Sequence, residues 1–172
     1  ELLLSTGCRV SELVGIKLDE IQEDYSILVH GKGQKDRYVY MNANAKFAYQ
    51  QYMADRSDSS IWLFPKMIPI QSEAYHVGKG KKDWYKHPEL VDETRHADKG
   101  TIEHNVRSLG KKCNVKAYPH KFRRTCATNA LRNGMPIEMV SRMLGHQNIG
   151  TTQIYLDLND DQMKMMHERY VR

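Results

Sequence analysis

The feature that most restricts the fold is the punctuation of the last third of the chain. Pro119 is suited to open a helix, because the N–H it lacks has no partner in a first helical turn anyway. Asn133-Gly134 ends that helix, Pro136 starts the next, and Gly145 closes it, presenting His146 just beyond the end. Between these stops the apolar residues fall at helical spacing. Phe122, Cys126 and Ala130 form one face, and Ile137, Val140 and Leu144 another. Upstream, Ile102, Val106 and Leu109 mark a helix over Thr101–Lys112, and Thr151-Thr152 is placed to cap a further one. A run of short, sharply ended helices leaves room for little besides a helical half-domain.

The first third is mixed. Glu1 to Leu4 reads as the end of a helix already under way, not as a signal peptide. It breaks at Thr6-Gly7, and a short helix resumes from Arg9 to Val14, with Arg9 and Glu12 on one face. Ser26–His30 and Arg37–Met41 are strand-like and flank the polar turn Gly31-Lys32-Gly33-Gln34-Lys35-Asp36, a hairpin signature. Ala43–Arg56 is helical in composition and Ser57–Ser60 ends it. The fold class is therefore α+β, mostly helical, with a small antiparallel hairpin or three-stranded sheet at one edge. From Gln71 to Gly100 apolar periodicity gives way to Lys, Asp, Glu and His, which marks residues 71–100 as a charged surface insertion.

Bulk numbers set the class. A chain of 172 residues with 40% hydrophobic and 27% charged residues is one globular domain with a real core. The net charge of +5 favours a polyanionic partner, and no apolar run has the length of a membrane span. Three widely spaced cysteines, Cys8, Cys113 and Cys126, suit free buried thiols in a reducing cytoplasm. The remaining histidines form no compact ligand pattern and there is no CxxC pair, so neither a metal site nor a cofactor is expected.

Six polar residues stand out against this background: Arg9, Lys32, His120, Arg123, His146 and Tyr155. Displacement at a phosphodiester spreads negative charge over the phosphoryl and leaving oxygens. Two guanidiniums can absorb that charge through paired hydrogen bonds without a metal, and a tyrosine activated by neighbouring cations and a base can serve as nucleophile. His120 and Arg123, three apart, share a helix face near an N-terminus whose dipole favours phosphate.

In their order and local contexts these residues resemble the tyrosine recombinases (phage integrase family), in their catalytic domain. The contexts are Thr6-Gly7-Cys8-Arg9-Val10-Ser11-Glu12-Leu13, Gly31-Lys32-Gly33, His120-Lys121-Phe122-Arg123-Arg124-Thr125, Leu144-Gly145-His146 and Thr151-Thr152-Gln153-Ile154-Tyr155. Arg124 stands where the family more often has histidine. The resemblance implies a site-specific recombinase or integrase of a phage or other mobile element, cutting DNA through a 3′-phosphotyrosyl link. It implies Tyr155 as nucleophile, His120 as base, Lys32 as acid and His146 as a phosphate ligand that helps proton transfer. Lys35 competes with Lys32 for the acid's place. Glu12 is positioned to orient Arg9 or its neighbours. Lys35, Arg37, Lys121 and Arg124 are the expected DNA contacts.

The resemblance further implies double-stranded DNA as partner and a homotetramer on synapsed DNA with monomers off it. Residues 1–172 would form a catalytic domain truncated at its N-terminus, preceded by a DNA-clamping domain and working in the bacterial cytoplasm. Two other readings stay open at this point: a type IB topoisomerase-like enzyme that relaxes DNA, and a DNA-binding regulator without catalysis.

Overall fold

The computed structural model describes residues 1–31, 33, 35–68, 90–146, 148, 150–153 and 167–168. In chain order these form α1 (Leu2–Thr6), α2 (Val10–Val14), a single 3-10 turn (Leu18–Glu20), β1 (Ser26–His30), β2 (Asp36–Tyr40) and α3 (Ala43–Asp55). They continue with β3 (Pro65–Met67), β4 (Val91–His96), α4 (Lys99–Lys112), α5 (Pro119–Arg132), α6 (Ile137–Leu144) and α7 (Gly150–Gln153). The α+β, mostly helical architecture follows. None of the described helices is long and apolar enough to cross a membrane.

β1 and β2 make the antiparallel hairpin expected around Lys32, paired from Ser26↔Tyr40 to His30↔Asp36. Ile27, Val29 and Val39 point inward and are fully covered, while Tyr38 and Tyr40 are half exposed or more. That is the alternation of a sheet with one wet face. A second two-stranded sheet, β3 with β4, has no counterpart in the sequence pattern. β4 lies inside the stretch that reads as an insertion, and α4 begins just before that stretch ends. Residues 71–89 of that stretch lie outside the described residues. The sequence concealed β4 because only Val91 of Val-Asp-Glu-Thr-Arg-His is buried.

The core is in two parts. Leu3, Cys8, Leu13, Ile16, Ile27, Val29, Val39, Met41, Ala45 and Leu63 join the hairpin to the N-terminal helices and α3, and Ile102, Val106 and Phe122 pack on them. Ala127, Leu131, Val140 and Leu144 close α5 against α6. Leu109 does not join its helical neighbours inside; it is 59% exposed. The last turn of α4 is covered through Gly110 instead, whose missing side chain admits Ala117 and the Val115 carbonyl. Cys8 and Cys126 are buried thiols as expected, but Cys113 is exposed. Burial pushes the Cys8 thiol up to about 11, so it stays protonated and inert.

Candidate active site

Local sequence places each polar group. The chain turns at Gly7 and Arg9 becomes the N-cap of α2 in extended conformation. Glu12, three residues on, accepts the Arg9 backbone N–H at 2.7 Å and its side-chain Nη1 at 2.9 Å. This is the reciprocal half of a capping box, and it ties the Arg9 side chain to the start of α2.

Arg37, on β2, is among the residues expected to reach DNA. The structure turns it inward instead. Its side chain is 12% exposed and its guanidinium grips both oxygens of Glu12, Nη1 to Oε1 at 3.0 Å and Nη2 to Oε2 at 2.9 Å. Its Nε donates to the Met143 carbonyl at 2.8 Å. The physical reason is Glu12: the carboxylate of a side chain only 3% exposed needs a full set of donors. Burial alone would raise the Glu12 pKa, but hydrogen bonds from Arg37 and Arg9 outweigh it and hold the carboxyl below its ordinary range.

Arg123 comes from the second turn of α5. It is 3% exposed. Nη1 donates to the Gly7 carbonyl and Nη2 to the Leu144 carbonyl, both at 2.6 Å. Arg9 completes the pattern with a longer contact of 3.5 Å from Nη2 to the Gly145 carbonyl. Three consecutive carbonyls at the C-terminus of α6, those of Met143, Leu144 and Gly145, thus each face a different arginine. A helix end leaves such carbonyls without intrahelical partners and carries partial negative charge, so cations are the natural complement.

Gly145 makes the arrangement possible. It is left-handed (φ 65°, ψ 45°), and a Cβ there would come within 2.9 Å of Arg37 Nη1. The His146 backbone N–H bonds back to the Ser141 carbonyl at 3.0 Å, a Schellman-type closure that turns the imidazole toward the arginines. His146 Nδ1 shares a hydrogen bond of 2.8 Å with the buried Thr152 hydroxyl. Burial first, and then the fields of Arg123, Arg9, Arg37 and His120, push its pKa down to about 4. His146 is therefore neutral near pH 7, and its ring lies within the field of all four groups. Thr152, which by composition would cap the next helix, lies inside α7. The turn at the start of α7 is closed by Asn148, whose side chain accepts the Gly150 N–H.

His120 sits exposed in the first turn of α5. Lys35 is exposed in the hairpin. Lys121 and Arg124 are also exposed and line a groove along α5 with Lys116, Arg132, Thr128 and Asn129; among the described residues its lining has no acidic side chain. Lys32 and Tyr155 lie outside the described residues. Among the described residues no group of three or more His, Cys, Asp or Glu side chains could hold a metal ion.

Residues 1–162 match the Phage integrase family. The chain is 32% identical over 170 residues to the tyrosine recombinase XerC of Leptospira interrogans, covering 98% of this chain and 48% of that protein. It is 29% identical to the tyrosine recombinase XerA of Pyrococcus horikoshii over 98% of this chain and 52% of that one. The chain thus spans about half the length of the curated relatives it matches. Among solved structures, a XerA recombinase crystal structure aligns with a TM-score of 0.71 and 31% identity, covering 99% of this chain and 56% of that one. A transposon integrase in complex with circular-intermediate DNA aligns at 0.68 with 20% identity, over 98% and 56% of the two chains, which is a likeness of fold.

Proposed function

The chain belongs to the phage integrase family, and from that premise we propose that it cuts and rejoins DNA as the catalytic part of a site-specific tyrosine recombinase. The observation that supports this most is the cluster of arginines on the end of α6. Arg9 and Arg37 share the Glu12 carboxylate while Arg123 is held by backbone carbonyls, so the cluster keeps a net charge of two positive units beside a neutral histidine. Such a site is organised for a phosphodiester before one arrives, which is where electrostatic catalysis gains most.

The chemistry proposed is one in-line displacement. The Tyr155 phenol oxygen attacks phosphorus as its O–H proton passes to His120. The bond from phosphorus to the 5′ oxygen breaks, and Lys32 supplies the proton that the departing oxygen takes. Arg9 and Arg123 hold the phosphoryl oxygens. His146, neutral in the free protein, gains proton affinity as the anion binds beside it, and so can donate to a phosphoryl oxygen. The products are a 3′-phosphotyrosine and a free 5′ hydroxyl; the reverse reaction on a new 5′ hydroxyl reseals the strand. Because bond energy is kept in the link, resealing needs no ATP, and the paired guanidiniums take the phosphoryl charge that a metal would otherwise carry.

The test is to incubate supercoiled plasmid with the full chain in EDTA, quench with denaturant, and identify any DNA-linked peptide by mass spectrometry. An adduct on Tyr155, lost in Tyr155→Phe, is expected. Cleavage that needs a divalent ion and leaves no adduct would overturn the mechanism.

The basic groove along α5 is the proposed path of the DNA backbone away from the cleaved phosphate, with Lys121 and Arg124 nearest to it in sequence. Binding to duplex DNA is expected to weaken steeply with salt. Neutralising Arg124 and Arg132 together (R124Q/R132Q) flattens the plot of log affinity against log salt by about one unit for each phosphate that is no longer neutralised. An unchanged slope would remove the groove from the DNA path.

Assembly as a tetramer on two duplexes is part of the same proposal, as is an origin in a phage or other mobile element. A mobile element leaves repeated core sequences at its two ends, so their absence around the gene would count against that origin.

A further inference from the structure

Two arginines flank Glu12, and a carboxylate offers only one edge to a fork of paired N–H donors. Arg37 takes that edge, with Nη1 and Nη2 on separate oxygens at 3.0 and 2.9 Å. Arg9 is left with a single side-chain bond to Oε1 at 2.9 Å, while its own backbone N–H holds Oε2 at 2.7 Å. Its Nη2 reaches only the Gly145 carbonyl, at 3.5 Å, the outer limit of a hydrogen bond. The two side chains differ accordingly in exposure, 42% for Arg9 and 12% for Arg37. Arg37 is fixed in this role by a third bond, Nε on the Met143 carbonyl at 2.8 Å, and by the absence of a side chain at Gly145 beside it.

We propose that Arg37 is a positioning residue for the phosphodiester chemistry: by occupying both oxygens of Glu12 it keeps that carboxylate from closing on Arg9 as a forked pair, and so leaves Arg9 an open edge for phosphate. Take Arg37 away, and a nearly buried carboxylate loses two of its four donors. Among the described residues, the other guanidinium bonded to it is that of Arg9. Arg9 then swings from one side-chain bond to two, and the charge that would meet the DNA is spent on Glu12. Arg37 contributes without touching substrate, and its effect runs through the competition for one carboxylate. The inference rests on the reading that Arg9 binds phosphate.

The competition predicts a sign that a merely structural arginine does not. In the full chain, the Arg9 Nε–H NMR signal, assigned by its loss in Arg9→Lys, is titrated with inorganic phosphate. Arg37→Gln is expected to weaken phosphate binding at Arg9 at least tenfold. Adding Glu12→Gln to it is expected to restore at least half of that loss on a logarithmic scale, because the carboxylate that captures Arg9 is gone. If Arg37 only supports the fold, the double variant binds as weakly as the single one or more weakly, and the proposal is overturned. Arg37→Lys serves if Arg37→Gln does not fold: one ammonium cannot span both oxygens, so weaker binding relieved by Glu12→Gln is again expected, and its absence counts against the idea. Should the wild-type Arg9 signal ignore phosphate, the phosphate-binding reading itself fails. The competition is then judged on the Arg9 guanidinium in a crystal structure of the Arg37 variant, where a forked Arg9–Glu12 pair upholds it and an unchanged single bond rejects it.

Discussion

Replacing Arg123 by alanine is expected to destabilise the fold by about 2–3 kcal/mol and to abolish covalent capture of DNA. The stability effect comes from the two carbonyls it serves. Those of Gly7 and Leu144 lie 116 and 21 residues away in sequence and each accepts a charged donor at 2.6 Å in a buried setting. A hydrogen bond to a charged group is worth about 1.5–3 kcal/mol net. Removing a buried guanidinium also relieves its desolvation, so the sum falls short of two full bonds. For a domain of this size the loss appears as a melting temperature lower by roughly 4–12 °C. Arg123→Lys separates the two roles. A lysine keeps the charge, but its single ammonium lacks the planar fork that spans Gly7 and Leu144. Partial recovery of stability with little recovery of the DNA adduct is expected from circular dichroism and denaturing gels. A lysine variant as stable and as active as the parent would show that neither the fork nor its two carbonyls matter.

The second large effect is at Gly145. Alanine there meets two separate penalties. A left-handed conformation costs an L-residue about 1–2 kcal/mol, and φ at this position is 65°. In addition, the new Cβ would lie 2.9 Å from Arg37 Nη1 and 3.1 Å from its Cζ. A guanidinium is ordinarily free to move aside, but this one is held by Glu12 and the Met143 carbonyl. The expected total is about 2–3 kcal/mol, with adduct formation reduced more than tenfold as Arg37 and His146 are displaced. Gly33→Ala is the control for strain alone: φ there is 77°, and nothing lies within 4 Å of the added methyl. Equal losses of stability at the two positions in urea melts would mean that the clash with Arg37 contributes nothing.

Much of this was legible in the chain, for local reasons. Pro119, Asn133-Gly134, Pro136 and Gly145 act within a turn of themselves, and α5 and α6 begin and end where they dictate. Arg9 and Glu12 are three residues apart, so their pairing too is local. What escaped is tertiary. Arg37 looks like one more cation in a basic hairpin, because its partner is 25 residues away in sequence. Thr152 has the composition of a cap, and only the path of the chain after Gly145 brings it to His146. β4 has no alternation to detect, since one residue of six is buried. The burial of Arg123 is invisible for a further reason: its acceptors are backbone carbonyls, which every residue carries and no motif marks.

That choice of acceptor makes the site unequal in its tolerance of change. The arginines can each be lost through a single codon, whereas the atoms that anchor them on α6 belong to the main chain and survive replacement of Met143 or Leu144 by any residue that packs there. On the helix side the sensitive position is Gly145, where an added Cβ would press on the Arg37 guanidinium. Drift in the side chains of α6 is therefore compatible with a fixed constellation of charge, and selection for the chemistry falls on the donors and on one glycine.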